Sequence, residues 1–172
     1  MPSGKTHDFI TFFLSIPIFL FSWGTFGFRN SAILTSMFLF GGLAFGPDLD
    51  TNSLQFRRWN MFRFIWIPYR LVFKHRSRWT HGAFLGTFFR VVYFAGFVSI
   101  LAFLAAYLAA EYFSFGEQNL SGFMKSWHSI GKFTREKFGA YSLYIAFAGV
   151  WLGALSHILA DKTFTFIKTG RY

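Results

Sequence analysis

Four long stretches of the chain are almost free of charge, and polar or aromatic segments separate them. Phe9 to Phe28 is 20 residues without a charge, enough to cross about 30 Å of hydrocarbon. Pro17 predicts a kink within it. Ser31 to Pro47 is 17 residues long, and its Gly41 and Gly42 would let another helix approach closely. Gly82 to Ala110 runs for 29 residues, broken only by Arg90, and Gly139 to Ala160 for 22, with His157 its one ionisable group. Two connecting segments are long. Thr51 to His81 mixes Arg with aromatic residues, which suits a headgroup interface, where rings and Arg side chains both settle. Glu111 to Phe138 carries Phe123, Trp127 and Ile130 at helical spacing, which predicts an amphipathic helix lying on the membrane. The pattern predicts an all-α integral membrane bundle of four transmembrane helices (about 9–28, 31–47, 82–110 and 139–160) with interfacial helical segments, in one domain spanning residues 1–172.

Composition agrees with that pattern. Of 172 residues, 53% are hydrophobic and only 14% charged, too few charges to clothe a soluble surface. There is no Cys, which removes thiolate metal sites and iron–sulfur chemistry. The net charge of +10 has a membrane explanation that needs no nucleic acid. With four spans, both termini and the Thr51 to His81 segment share one side, which collects eleven Lys and Arg against five on the other. By the positive-inside rule that side is cytoplasmic, and its natural partners are lipid headgroups.

The candidate chemistry falls on the same side. His7 and Asp8 open the first span, and Asp48 and Asp50 follow the second. His75 and His81 precede the third, and His157 and Asp161 close the fourth. His157 and Asp161 stand four apart on one helix face, a spacing that lets two side chains grip one cation. Asp48-x-Asp50 follows a Gly-Pro break, and an extended Asp-x-Asp aims both carboxylates the same way. Thr6 and Thr80 are placed to cap the helices that His7 and His81 begin. Each histidine taken singly has an ordinary alternative as a cap or headgroup partner, and Asp8 as a first-turn acid. Eight groups from four distant segments make a metal site the better reading. Without Cys the donor set suits a divalent ion, Zn²⁺, Mn²⁺ or Fe²⁺, and the ligand count permits one or two. Arg76 and Arg78 could hold the phosphate of a lipid or an anionic substrate. Arg90, inside a span, would snorkel to the interface or pair with a site carboxylate. His128, beside Trp127, reads as interfacial.

Four short motifs occur in order: Ser3-Gly4-Lys5-Thr6-His7-Asp8, Gly46-Pro47-Asp48-Leu49-Asp50, the run from Tyr69-Arg70 through His75-Arg76-Ser77 to Thr80-His81-Gly82, and Ser156-His157-Ile158-Leu159-Ala160-Asp161. Together they resemble a bacterial family of metal-binding membrane proteins of unknown function, itself similar to membrane-bound metal-dependent hydrolases. The resemblance implies metal ligands at His7, Asp48, Asp50, His75, His81, His157 and Asp161. The expected activity is then metal-dependent hydrolysis at the cytoplasmic membrane face. Asp48, Asp50 or Asp161 would serve as general base and Arg76 would orient an anionic substrate. The alternative is a small non-catalytic subunit of a larger membrane assembly, with a structural metal.

Overall fold

The computed structural model describes residues 3–73, 77–113 and 120–170. All regular structure among them is helical: α1 (Gly4–Leu43), α2 (Leu54–Arg58), α3 (Ile67–Val72), α4 (Arg78–His81), α5 (Leu85–Phe113), α6 (Leu120–Phe138) and α7 (Ser142–Thr169), with 3₁₀ turns at Pro47–Asp50 and Asn60–Trp66. Among the described residues three of these helices, α1, α5 and α7, are long and apolar enough to cross a membrane.

The first of the three is folded double. Gly27 leaves helical geometry at φ 74°, ψ 165°, a region open to glycine at little cost. A Cβ placed on Gly42 would lie 2.5 Å from the Thr11 methyl. In a straight helix those two residues would be about 46 Å apart at 1.5 Å per residue. Residues 4–26 and 28–43 are therefore antiparallel arms. Side chains serve the carbonyls at the elbow: Asn30 Nδ2 donates to Phe26 and Ser31 Oγ to Gly27. The elbow falls inside the first predicted span rather than at Arg29. Pro17 keeps helical dihedrals, so the break expected there is taken by Gly27 instead.

Helix α7 packs on the second arm, residues 28–43, through backbone, and meets the first arm through side chains such as His7. A Cβ on Gly153 would meet the Phe38 carbonyl oxygen at 2.2 Å, one on Gly149 the Leu34 carbonyl oxygen at 2.5 Å, and one on Gly41 the Val150 carbonyl oxygen at 2.4 Å. Such closeness is the use of small-residue pairs in apolar helices, where no hydrophobic drive toward water remains. The expectation of close contact at Gly41 and Gly42 holds, and Gly149-x-x-x-Gly153 answers it from the other helix.

Part of the Arg- and aromatic-rich segment is core, while Met61, Phe62 and Leu71 face outward. Trp66 and Tyr69 are wholly buried, in a core formed with Phe45, Leu49, Phe56, Ile65 and Val150. Trp66 stacks on Phe94 of α5, 5.9 Å between centroids and 9° between planes. Pro68 occupies the first turn of α3, where its missing N–H costs nothing, and the segment is split into several short helices. The segment is a folded cap over one end of the helices, and that cap carries the acidic turn Pro47–Asp50. Helix α6 is exposed along most of its length, with Met124, Trp127, Ile130 and Phe133 outward.

Candidate metal centre

The first turn of α1 begins at Ser3, whose Oγ accepts from the Thr6 N–H; Thr6 sits inside the helix rather than capping it. His7 follows in that turn and is buried. The fold-back at Gly27 and the glycine crossing set this turn against the part of α7 that carries His157 and Asp161. The two imidazole rings stack with centroids 3.7 Å apart. Asp161 lies between their nitrogens, Oδ1 at 3.2 Å from His7 Nε2 and Oδ2 at 3.8 Å from His157 Nε2. Because α7 continues to Thr169, His157 and Asp161 are not at a helix C-terminus, and the site gains no cation preference from the α7 dipole.

The chain of donors continues across the cap. Asp48 Oδ2 lies 3.2 Å from His157 Nε2, and Asp48 Oδ1 lies 3.5 Å from His81 Nε2. His81 Nδ1 is 3.9 Å from Asp50 Oδ2 and 3.1 Å from Thr80 Oγ1. His81 ends α4 instead of opening α5, and Thr80 is its buried neighbour rather than a cap. Six of the seven ligand candidates, His7, Asp48, Asp50, His81, His157 and Asp161, thus lie in one continuous cluster. His75 and Arg76 lie outside the described residues.

Gln55 supports this cluster. Its amide nitrogen donates to the Gly42 carbonyl at 2.8 Å and lies 3.3 Å from His157 Nδ1. Its oxygen accepts from the Asp48 N–H at 3.2 Å. One buried amide therefore ties the His157 ring to the acidic turn and to the end of α1. Asp8 is engaged elsewhere: Arg58 grips both its oxygens and also donates to the Leu43 carbonyl, so Asp8 is an ion-pair partner. Arg90 does not snorkel to the interface. It is wholly buried and donates to the Thr80 carbonyl at 2.7 Å and to Thr87 Oγ1 at 3.1 Å, which holds the backbone beside His81. Tyr69 lies close by, and burial pushes its phenol up to about 12, keeping it a neutral O–H despite the Arg90 charge.

His7, His157 and Asp161 each offer one ligand atom, and these atoms lie within 4.8 Å of one another. Donor pairs 3.2–3.8 Å apart suit two atoms that each sit about 2.0–2.2 Å from a tetrahedral ion. His7 Nδ1 is buried and has no hydrogen-bond partner among the described residues. Nitrogen and carboxylate donors without sulfur fit a divalent ion of borderline or hard character. His7, Asp48, His157 and Asp161 of the cluster line a pocket of about 230 Å³ that opens outward and is shared with Ser53, Gln55 and Arg57.

A family model described as "Uncharacterized metal-binding protein (DUF2227)" matches residues 2–171. The chain belongs to that family. The match covers every motif that carried the resemblance, and it makes metal binding a property of the family to which the cluster belongs. No curated protein and no solved structure matches the chain. The motifs leave out Gln55 and Arg57, which line the pocket, and Arg58, which pairs with Asp8. Gln55 has no local signature, since its partners are distant in sequence.

Proposed function

We propose that this chain is an integral membrane metalloenzyme with four crossings and both termini cytoplasmic, hydrolysing a small substrate at that membrane face. The observation that carries the reading is that the donor cluster borders an open pocket. Structural metal sites are closed by protein ligands, whereas catalytic ones keep a position for water or substrate. Supporting the membrane reading are the three apolar helices, the fold-back of α1 and outward-facing Phe9, Phe13, Phe21, Leu104 and Leu108.

In this reading His7, His157 and Asp161 hold the ion. His81 and Asp50 complete a second position, or orient the first. A divalent ion there supplies Lewis acidity and makes water reactive near neutral pH. Asp48 is the general base. Its side chain is 25% exposed, against 12% for Asp161 and 0% for Asp50, so it is the carboxylate that water reaches most readily. Against the cost of burial, the imidazoles of His157 and His81 hold the Asp48 carboxyl well below the usual carboxylate range, so it stays ionised, and a proton it draws from water would pass on to His81 Nε2, 3.5 Å away. Gln55 keeps Asp48 and His157 in register.

The test is turnover of phosphate- and carboxylate-ester substrates by detergent-purified protein loaded with Zn²⁺, Mn²⁺ or Fe²⁺. The expected result is metal-dependent turnover that Asp48→Asn abolishes while the ion stays bound. Full metal occupancy without turnover on either ester class would remove the enzyme and favour a structural metal in an assembly subunit.

A further inference from the structure

We propose that Arg57 is the anion-binding residue of this pocket and that the substrate carries a small phosphate ester. The proposal rests on the hydrolytic reading of the pocket and adds its substrate class. Arg57 and Arg58 are neighbours in α2, but only Arg58 is engaged, by Asp8 and the Leu43 carbonyl. Arg57 is exposed and lines the same pocket as His7, Asp48, His157 and Asp161, and its guanidinium makes no ion pair or hydrogen bond among the described residues.

The charges around the pocket single it out. Asp8 is matched by Arg58. Asp48 and Asp161 are matched once a divalent ion enters. Arg57 is then the unmatched positive charge beside an ion with an open position. A guanidinium fork and a metal together recognise a tetrahedral oxyanion with two or more free oxygens, which is what a phosphate ester presents. Size narrows the class. At about 230 Å³ the pocket is below the roughly 300–1,000 Å³ of clefts that enclose drug-sized ligands. It encloses a phosphate with a short polar stem, and the rest of any larger ligand would extend through the open side. Such a group comes either from a soluble ester or from a lipid headgroup. The site's position by the ends of apolar helices allows both approaches.

Two arms separate the sources: glycerol 3-phosphate, and lipid nanodiscs containing phosphatidic acid compared with phosphatidylcholine alone. Binding is measured on metal-loaded and metal-free wild-type protein, on Arg57→Gln and on Arg57→Lys, with metal content and thermal midpoint recorded for each. We expect one phosphate ligand to bind the metal-loaded protein and far less the metal-free form. Arg57→Gln should bind it about 10- to 100-fold more weakly, the loss of one to two charge-assisted hydrogen bonds. Arg57→Lys should lie between, and all variants should retain metal and thermal midpoint. Arg57-dependent binding in either arm supports the proposal and identifies the source. Wild-type affinity in Arg57→Gln, or no binding in either arm, overturns it. Arg57-dependent binding without turnover would leave Arg57 as the anion-binding residue and remove the hydrolase, and the phosphate would then be a ligand instead of a substrate.

Discussion

The imidazoles of His7 and His157 lie face to face, 3.7 Å between centroids and 11° between planes, although they come from opposite ends of the chain. Two features of the fold produce that contact. Gly27 turns the first helix back, and the Gly149/Gly153 face of α7 lets backbone touch backbone at Leu34 and Phe38. The stack aims both Nε2 atoms at Asp161, so a contact between rings becomes a three-atom donor set.

Metal removal should therefore unfold what it does not need to contact. Binding to the native state alone stabilises by about 2.7 kcal/mol at a free ion concentration 100 times the dissociation constant. Chelation should lower the thermal midpoint of the wild type and leave that of His7→Ala unchanged. Scanning fluorimetry in detergent, with and without chelator, reads both. Equal shifts in the two proteins would place the ion away from His7.

Replacing Gln55 with Ala should weaken metal affinity about 10- to 100-fold, the usual effect of losing a residue that orients a ligand. It removes the amide that joins His157 to the Gly42 carbonyl and the Asp48 N–H. Competition against a chromophoric chelator measures it. An unchanged dissociation constant would show that the ring is held by its stacking alone.

The glycine crossing makes its own prediction. In Gly153→Ala a Cβ would sit 2.2 Å from a backbone oxygen, which cannot swing aside as a side chain does. Overpacking of this kind costs about 1–3 kcal/mol. The variant should melt earlier than wild type and also bind metal less well, because the crossing sets the His7–His157 contact. A control at half-buried Gly131, which has open space where a Cβ would go, should do neither.

Arg90→Met should lower both stability and metal content, since it strips the charge-assisted bond from the Thr80 carbonyl that immediately precedes His81. Each such bond is worth about 1.5–3 kcal/mol. Arg90→Lys keeps the charge but not the fork that reaches Thr80 and Thr87 together, and should fall between. Thermal midpoint and bound metal, measured on both variants, check it. Wild-type metal content in Arg90→Met would confine Arg90 to packing.

Much of this arrangement is legible locally. The apolar stretches, the four-residue step from His157 to Asp161 and the Asp48-x-Asp50 pair are short-range patterns, and the helices and the cluster follow them. What escapes the sequence depends on long-range contact. Trp66 and Tyr69 read as interfacial because Arg residues flank them, yet Phe94 of a distant helix and the Pro47–Asp50 turn enclose them. Asp8 has the pattern of a first-turn acid, and only the fold shows that Arg58 claims it. Arg90 reads as a stray charge in a span, because its acceptor is a carbonyl, which sequence does not mark. The elbow lies at Gly27 instead of the charged Arg29 because positive φ, not polarity, is what the turn requires.

The most direct test of the central claim is the metal content of the purified protein, by elemental analysis after dialysis against buffered divalent ion, for wild type and Asp161→Asn. Asp161 is the carboxylate that both stacked histidines face, so the account predicts at least one divalent ion per wild-type chain and its loss in Asp161→Asn. Wild-type protein without metal, or Asp161→Asn retaining a full complement, would contradict it.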